Sequence, residues 1–181
     1  VTKAIQEQAG ILIHCSNLYQ IPEQEALAIK LCSLSNMETV FFSNSGAEAN
    51  EAAIKLARLF GNNKGIEKPT IIVAEQSFHG RTMATLSATG NRKVQAGFEP
   101  LLPGFARVPY GDFEAINQVA LNNKNVVAIF VEPVQGEGGI KIPHHQYLNN
   151  LKIIADEQDW LLMVDEVQTG MGRTGAWFAH Q

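Results

Sequence analysis

The stretch LLMVDEVQTGMGRTG, Leu161 to Gly175, decides how the chain is read. Its head is an apolar run that stops at a carboxylate, Asp165. Its tail, Gly170 to Gly175, spells G-x-G-x-x-G. A dinucleotide fingerprint needs its first glycine directly after a strand, its third packed inside a helix, and an acidic residue ~20 positions further on. Here Asp165 to Thr169 separate the apolar run from Gly170, and only Ala176 to Gln181 follow Gly175. The tail therefore reads as a flexible loop, and a nicotinamide dehydrogenase rests on those glycines alone. The aspartate says more. A carboxylate at the end of a buried strand faces the crevice where α/β sheets hold ligands; the blander reading is a helix N-cap or a loop salt bridge.

Working outward, three further runs resemble Trp160 to Val164: Thr39 to Phe42, Thr70 to Ala74 and Val126 to Val131. They are near-continuous apolar runs rather than alternating ones, as expected of strands buried on both faces. Between and before them lie segments with helical spacing: Ala4 to Ala9, Glu23 to Leu34 (Ala26, Leu27, Leu31, Leu34), Ala47 to Phe60, and Gln146 to Gln158. In the third, Ala49, Ala53, Leu56, Ala57 and Phe60 form the expected apolar stripe, with Glu51, Lys55 and Arg58 opposite it. The alternation implies an α/β fold, a mostly parallel sheet with helices on both faces.

Composition narrows the function. The chain has 181 residues, 45% hydrophobic and 18% charged, which fits one packed domain or a large piece of one. A net charge of -4 with no run of Lys or Arg argues against nucleic-acid and anionic-membrane partners. No apolar run is long enough to span a bilayer. Cys15 and Cys32 have no metal-type spacing, so no metal site is expected, and they read as small buried thiols of a cytoplasmic protein. Val1 opens directly into what reads as the middle of a helix, with no initiator methionine and no signal-peptide pattern, and the chain stops abruptly at Gln181. A fragment of a longer chain is the expectation.

Ligand chemistry belongs to the segments that follow the strands. These are Ser43 to Ala47, Glu75 to Arg81, Glu132 to Glu137 and Asp165 to Gln168. Ser45 with Glu48 matches a capping box at the start of the clearest helix. Gly46 leaves room there for close approach, and the free N–H groups and helix dipole suit a phosphate. Capping alone would also explain the serine and the glutamate. Phe78 is either a core aromatic or a stacking surface for a flat ligand. Arg81 is either a surface charge or a fork for a substrate carboxylate. Phosphate cup, aromatic surface and strand-end aspartate together suit pyridoxal 5'-phosphate, whose ring nitrogen must stay protonated for the ring to accept electrons; a nearby Asp favours that state.

NSGAEANEAAIKLAR (Asn44 to Arg58), SFHGRT (Ser77 to Thr82), EPVQGEGG (Glu132 to Gly139) and DEVQTGMGRTG (Asp165 to Gly175) resemble the class III pyridoxal-phosphate aminotransferases. With SNLY at Ser16 to Tyr19, the run is most similar to their acetylornithine type. The resemblance covers the whole chain. It implies the large domain of a fold-type I pyridoxal-phosphate transferase over residues 1–181, with the N-terminal segment, the Schiff-base lysine region and the C-terminal small domain lying elsewhere. It further implies that Ser45, Gly46 and Ala47 hold the cofactor phosphate and that Phe78 packs on the ring. By the same resemblance Asp165 pairs with the ring nitrogen, Gln168 contacts the ring's phenolic oxygen, Arg81 takes the substrate α-carboxylate, and Glu137 lies near the substrate. Glu132 is assigned only a structural role. Neither Lys141 nor Lys152 sits in the family's lysine motif. The family reaction moves the δ-amino group of N2-acetylornithine to 2-oxoglutarate in a cytoplasmic homodimer of arginine biosynthesis. Ornithine, 4-aminobutyrate and succinylornithine remain open as substrates, as does a non-catalytic pyridoxal-phosphate-binding module.

Overall fold

The computed structural model describes every residue from Val1 to Gln181 and divides into two compact units, Val1–Val40 and Phe41–Gln181. The first holds helices α1 (Thr2–Ala9) and α2 (Pro22–Ser35). Pro22 opens α2, where its missing N–H costs nothing and its φ is already helical. Asn36, left-handed at φ 58°, ends it. Helical spacing is present in both helices, but neither buries a side chain. Cys15 and Cys32 are free and only partly buried, a correction to the expected core thiols.

The second unit is built on a four-stranded sheet, β1 (Thr70–Ala74), β2 (Phe105–Val108), β3 (Val126–Val131) and β4 (Leu161–Val164), in the order β2-β1-β3-β4. Every pairing is parallel. Three of the four expected strands are present. Thr39 to Phe42 is not a strand: it pairs with no neighbour, and Phe41 is 74% exposed. An extended segment becomes a strand only when another chain segment takes its backbone groups. The unexpected strand is β2, whose run is broken by Arg107 and only partly buried, as suits a sheet edge.

Helices cover both faces. Against one face lie α3 (Gly46–Asn63) and α4 (Met83–Ala88), where Ile54, Ala57, Ala84 and Ala88 pack with Ile71, Val73, Val127 and Phe130. Against the other lie α6 (Phe113–Asn122) and α7 (Tyr147–Glu157), where Ile116, Tyr147, Leu151 and Ala155 pack with Ile72, Val126, Ile129 and Val131. A short helix, α5 (Arg92–Gln95), completes the β1–β2 connection. Each fully buried large aliphatic contributes about 1.5–3 kcal/mol. β3 is buried along its whole length, which explains why VVAIFV has no polar position. A register shift between Thr70 and Ile71 lets Val127 and Ala128 both face the α3 layer.

The buried face of α3 is the expected stripe only in part: Ala57 is buried and Phe60 packs against the core, but Ala49 is exposed. Asn50, Ile54, Ala57 and Gly61 are buried, whereas Leu56 is 62% exposed. Small residues decide the seating: a Cβ on Gly61 would come within 2.6 Å of Val127 Cγ1. The helix can lie this close to β3 only along the edge that carries Ala57 and Gly61. Glu51, expected to be solvated, instead takes the N–H groups of Ala84 and Thr85 at the start of α4.

After β1 the chain goes outward to β2, then returns across β1 to β3 and on to β4. The order therefore reverses between β1 and β3. In parallel α/β sheets the crevice outside the strand carboxyl ends at such a reversal is where ligands bind.

Candidate functional site

The β1–β3 crevice is closed at its base by a carboxyl group. Glu132, the residue after β3, is 5% exposed, and its Oε2 accepts the N–H of Phe78 at 3.1 Å. It thus ties the loop after β1 to the end of β3. Burial lifts the Glu132 carboxyl to about 7, helped by the charges of Asp165 and Glu137 and opposed by N–H donation from Phe78 and Gly136.

Asp165 begins where β4 ends, and its own N–H continues the ladder to the Val131 carbonyl at 2.8 Å. It is 7% exposed. Its Oδ2 accepts from Asn50 Nδ2 at 2.8 Å and pairs with His79 Nδ1 at 2.8 Å. Its Oδ1 accepts the Val167 N–H at 3.1 Å. The His79 ring stacks on Phe130 with centroids 4.0 Å apart, and its Nε2 is buried without a partner. Assigned from this network, the imidazole proton sits on Nδ1, between ring and carboxylate. No Lys or Arg side chain makes an ion pair with Asp165. A buried carboxylate held by N–H donors without an arginine or lysine partner suits a ligand that brings a cationic N–H of its own.

The N-terminus of α3 supplies the opposite chemistry. Ser45 caps it, with Oγ accepting the Glu48 N–H at 3.2 Å. The expected capping box is only half formed, because the Glu48 carboxylate reaches the N–H of Asn44 at 2.7 Å rather than that of Ser45. The N–H groups of Gly46 and Ala47 lie in the first turn, where a helix offers no internal acceptor. Gly46 sits on the loop after β4: a Cβ there would meet Val167 Cγ2 at 2.7 Å. Gly80, at φ 133°, brings the β1 loop against Ala47, where a Cβ would come within 3.0 Å of the Ala47 Cβ. Both glycines thus let α3 settle onto the carboxyl edge of the sheet. Ser43 to Ala47 arrives there by helix packing and not, as expected, at the end of a strand.

Other expected residues lie around this centre. Phe78 is half-buried, and the exposed Arg81 guanidinium stands 5.9 Å from its ring centroid. Gln168 is exposed, with its Cγ 3.9 Å from where a Gly136 Cβ would lie, and Glu137 is exposed on the same loop. Gly170 to Gly175 forms successive turns with no helix after it, so the glycine tail is a loop. Asn50, His79 and Glu132 carry the buried network and were given no ligand-binding role from sequence. A signal existed for Asn50: it shares a spacing of four, three and four with Ile54, Ala57 and Gly61, a polar residue in line with a buried face. His79 is flagged only by following Phe78.

The family described as aminotransferase class-III matches residues 1–181. The chain is 65% identical over 181 residues to the acetylornithine aminotransferase of Nitrosomonas europaea, covering 100% of this chain and 46% of that protein. The fold matches the crystal structure of the ornithine aminotransferase of Toxoplasma gondii with a TM-score of 0.93 at 32% identity, over 98% of this chain and 43% of the other. It also matches an amine transaminase from an uncultivated Pseudomonas species, solved in its PLP-bound form, with a TM-score of 0.88 at 27% identity, over 98% of this chain and 46% of the other. The chain thus spans a little under half the length of the relatives it matches. Over its full length, this chain belongs to the class III aminotransferase family.

Proposed function

We propose that the intact protein binds pyridoxal 5'-phosphate and transfers the δ-amino group of N2-acetylornithine to 2-oxoglutarate. One observation carries the cofactor reading: Asp165, buried and held by Asn50, His79 and Val167 without a lysine or arginine, stands at the sheet edge onto which the N-terminus of α3 packs. A ligand with a cationic ring nitrogen at one end and a phosphate at the other satisfies both. The N–H groups of Gly46 and Ala47 and the Ser45 hydroxyl hold the phosphate. Phe78 covers the ring, Gln168 meets its phenolic oxygen, and Asp165 keeps a proton on its nitrogen. Bound there, the cofactor supplies an electron sink for charge that develops on the substrate carbon. Arg81 forks the substrate α-carboxylate and Glu137 lies beside the substrate. The 65% identity to an acetylornithine aminotransferase favours that substrate over ornithine, 4-aminobutyrate or succinylornithine.

The lysine that links the cofactor covalently belongs to protein outside residues 1–181. Within them Lys141 engages Gln76, and Lys152 engages Asp156. Residues 1–181 form part of the cofactor-binding large domain of a cytoplasmic homodimer serving arginine biosynthesis. The test is reconstitution of the intact protein with pyridoxal phosphate. A visible absorbance band that borohydride fixes covalently is expected, followed by turnover of acetylornithine with 2-oxoglutarate. A colourless protein sinks the cofactor assignment. A coloured protein that prefers ornithine or 4-aminobutyrate moves the substrate assignment to that compound.

A further inference from the structure

The buried polar network contains a group whose position the family chemistry leaves unused. Asn50 is 7% exposed and lies on α3, a little over one helical turn beyond Ser45. Its Nδ2 donates to two acceptors from different parts of the chain, Asp165 Oδ2 at 2.8 Å and the His79 carbonyl at 2.8 Å. An amide nitrogen has two protons and no charge, so it can serve both acceptors without neutralising Asp165. No other side chain bridges α3 to the ends of both β1 and β4 in this way. We propose that Asn50 is a positioning residue: it locks the N-terminus of α3 to the Asp165 carboxylate, so that the groups facing a ligand's phosphate and the group facing its ring nitrogen are held at one separation.

The physical reason lies in the alternatives. Without the amide, Asp165 Oδ2 keeps only the His79 ring and the His79 carbonyl loses this donor, both inside a buried site. The carboxylate can then rotate, and α3 loses its one side-chain hydrogen bond to the end of β4, while toward the loop after β1 only the Glu51 contact with Thr82 remains. An aspartate at position 50 would set a second carboxyl against Asp165, and an aliphatic residue would leave both acceptors short. The identity of this residue is therefore dictated by donor count as well as by volume.

This inference rests on the pyridoxal-phosphate reading, and its test separates the two. The intact protein, Asn50→Ser and Asn50→Ala are stripped of cofactor and titrated with pyridoxal phosphate. The dissociation constant and the visible circular dichroism of the bound cofactor are recorded, with melting temperature as a check on folding. The serine hydroxyl has one proton and can serve one acceptor at a time, so the expected losses of affinity are about threefold for Ser and about tenfold for Ala. The dichroic band should weaken in the same order as the ring loses its fixed orientation. The substitutions are then repeated in the Asp165→Asn background. There the effect of Asn50→Ala should fall below about twofold, because the partner it orients has lost its charge. An Asn50→Ala effect of equal size in both backgrounds, with an unchanged dichroic band, would mean that Asn50 is a packing residue only and would overturn the proposal. Unmodified protein that takes up no pyridoxal phosphate defeats the cofactor reading and this inference together. Should Asn50→Ala fail to fold, the serine variant carries the same decision.

Discussion

The two ends of the same four strands are built in opposite ways. At the carboxyl ends, polar side chains are buried and bonded to one another: Asp165 to Asn50 and His79, and Glu132 to the Phe78 N–H. At the amino ends, the polar contacts lie largely in solvent. Lys64 lies over the Phe60 ring, 4.2 Å from its centroid, and pairs with Asp159, whose side chain is 83% exposed. A cleft lined by Phe60, Lys64, Ile66, Val126 and Trp160 opens at that end, but no buried carboxylate converges on it. Concavity alone is therefore a poor guide to the site of this protein. Burying a charge is unfavourable unless partners compensate it, and the buried carboxyl groups, Glu132 and Asp165, both lie at the carboxyl edge.

The contrast is broken most forcefully at Asp165. Asp165→Asn keeps the shape and removes the charge. In the intact protein, turnover of acetylornithine should fall by on the order of 100- to 1,000-fold while the far-ultraviolet circular dichroism stays that of a folded protein. Near-normal turnover with cofactor bound would show that the carboxyl edge is polar for structural reasons only.

Glu132 sharpens the comparison through pH. Its folded pKa of about 7 lies above the ordinary 4.5, so between those values the folded protein keeps a proton that the unfolded chain has released. Its contribution to stability is whole below about 4.5, declines as pH rises, and is gone above about 7. The magnitude is on the order of a few kcal/mol at most. Glu132→Gln cannot titrate. Melting curves of the cofactor-free protein from pH 4.5 to 8 should show this decline in the unmodified protein and a shallower one in the glutamine variant. Parallel curves would place the titrating group elsewhere.

The smallest effect belongs to the amino edge. Lys64→Met removes an exposed ion pair and keeps much of the packing against Phe60. Stability should change by no more than about 1 kcal/mol, with turnover unaltered. A larger loss in the thermal midpoint, or any loss of turnover, would erase the distinction between the two ends.

Much of this architecture is written locally. TIIVA and VVAIFV are strands because continuous apolar, largely β-branched runs are satisfied between two covering layers, and the structure places strands at Thr70–Ala74 and Val126–Val131; WLLMV supplies the strand Leu161–Val164 at the sheet's edge, where every residue is only partly buried. Asp165 could be singled out because a carboxylate directly after such a run faces the ligand crevice; a helix N-cap or a loop salt bridge would explain it as well, and the segments after the other runs tip the balance. TVFF, Thr39 to Phe42, misled because its composition is that of a strand, while strandhood depends on a partner that the fold does not provide. FARV was overlooked for the converse reason: a run too short and too mixed to stand out is paired along its length by β1.

The sequence by itself determined the α/β class, the carboxylate at the strand end, the serine-glycine start of α3 and the family to which these motifs point. Only the tertiary structure decided the strand order, the seating of α3 along Asn50, Ile54, Ala57 and Gly61, and the meeting of Asn50, His79 and Asp165. Residues 50, 79 and 165 stand far apart along the chain, and no local pattern encodes which two donors reach one carboxylate oxygen. That is settled by how closely helix and sheet approach, which depends on the side-chain volumes packed between them.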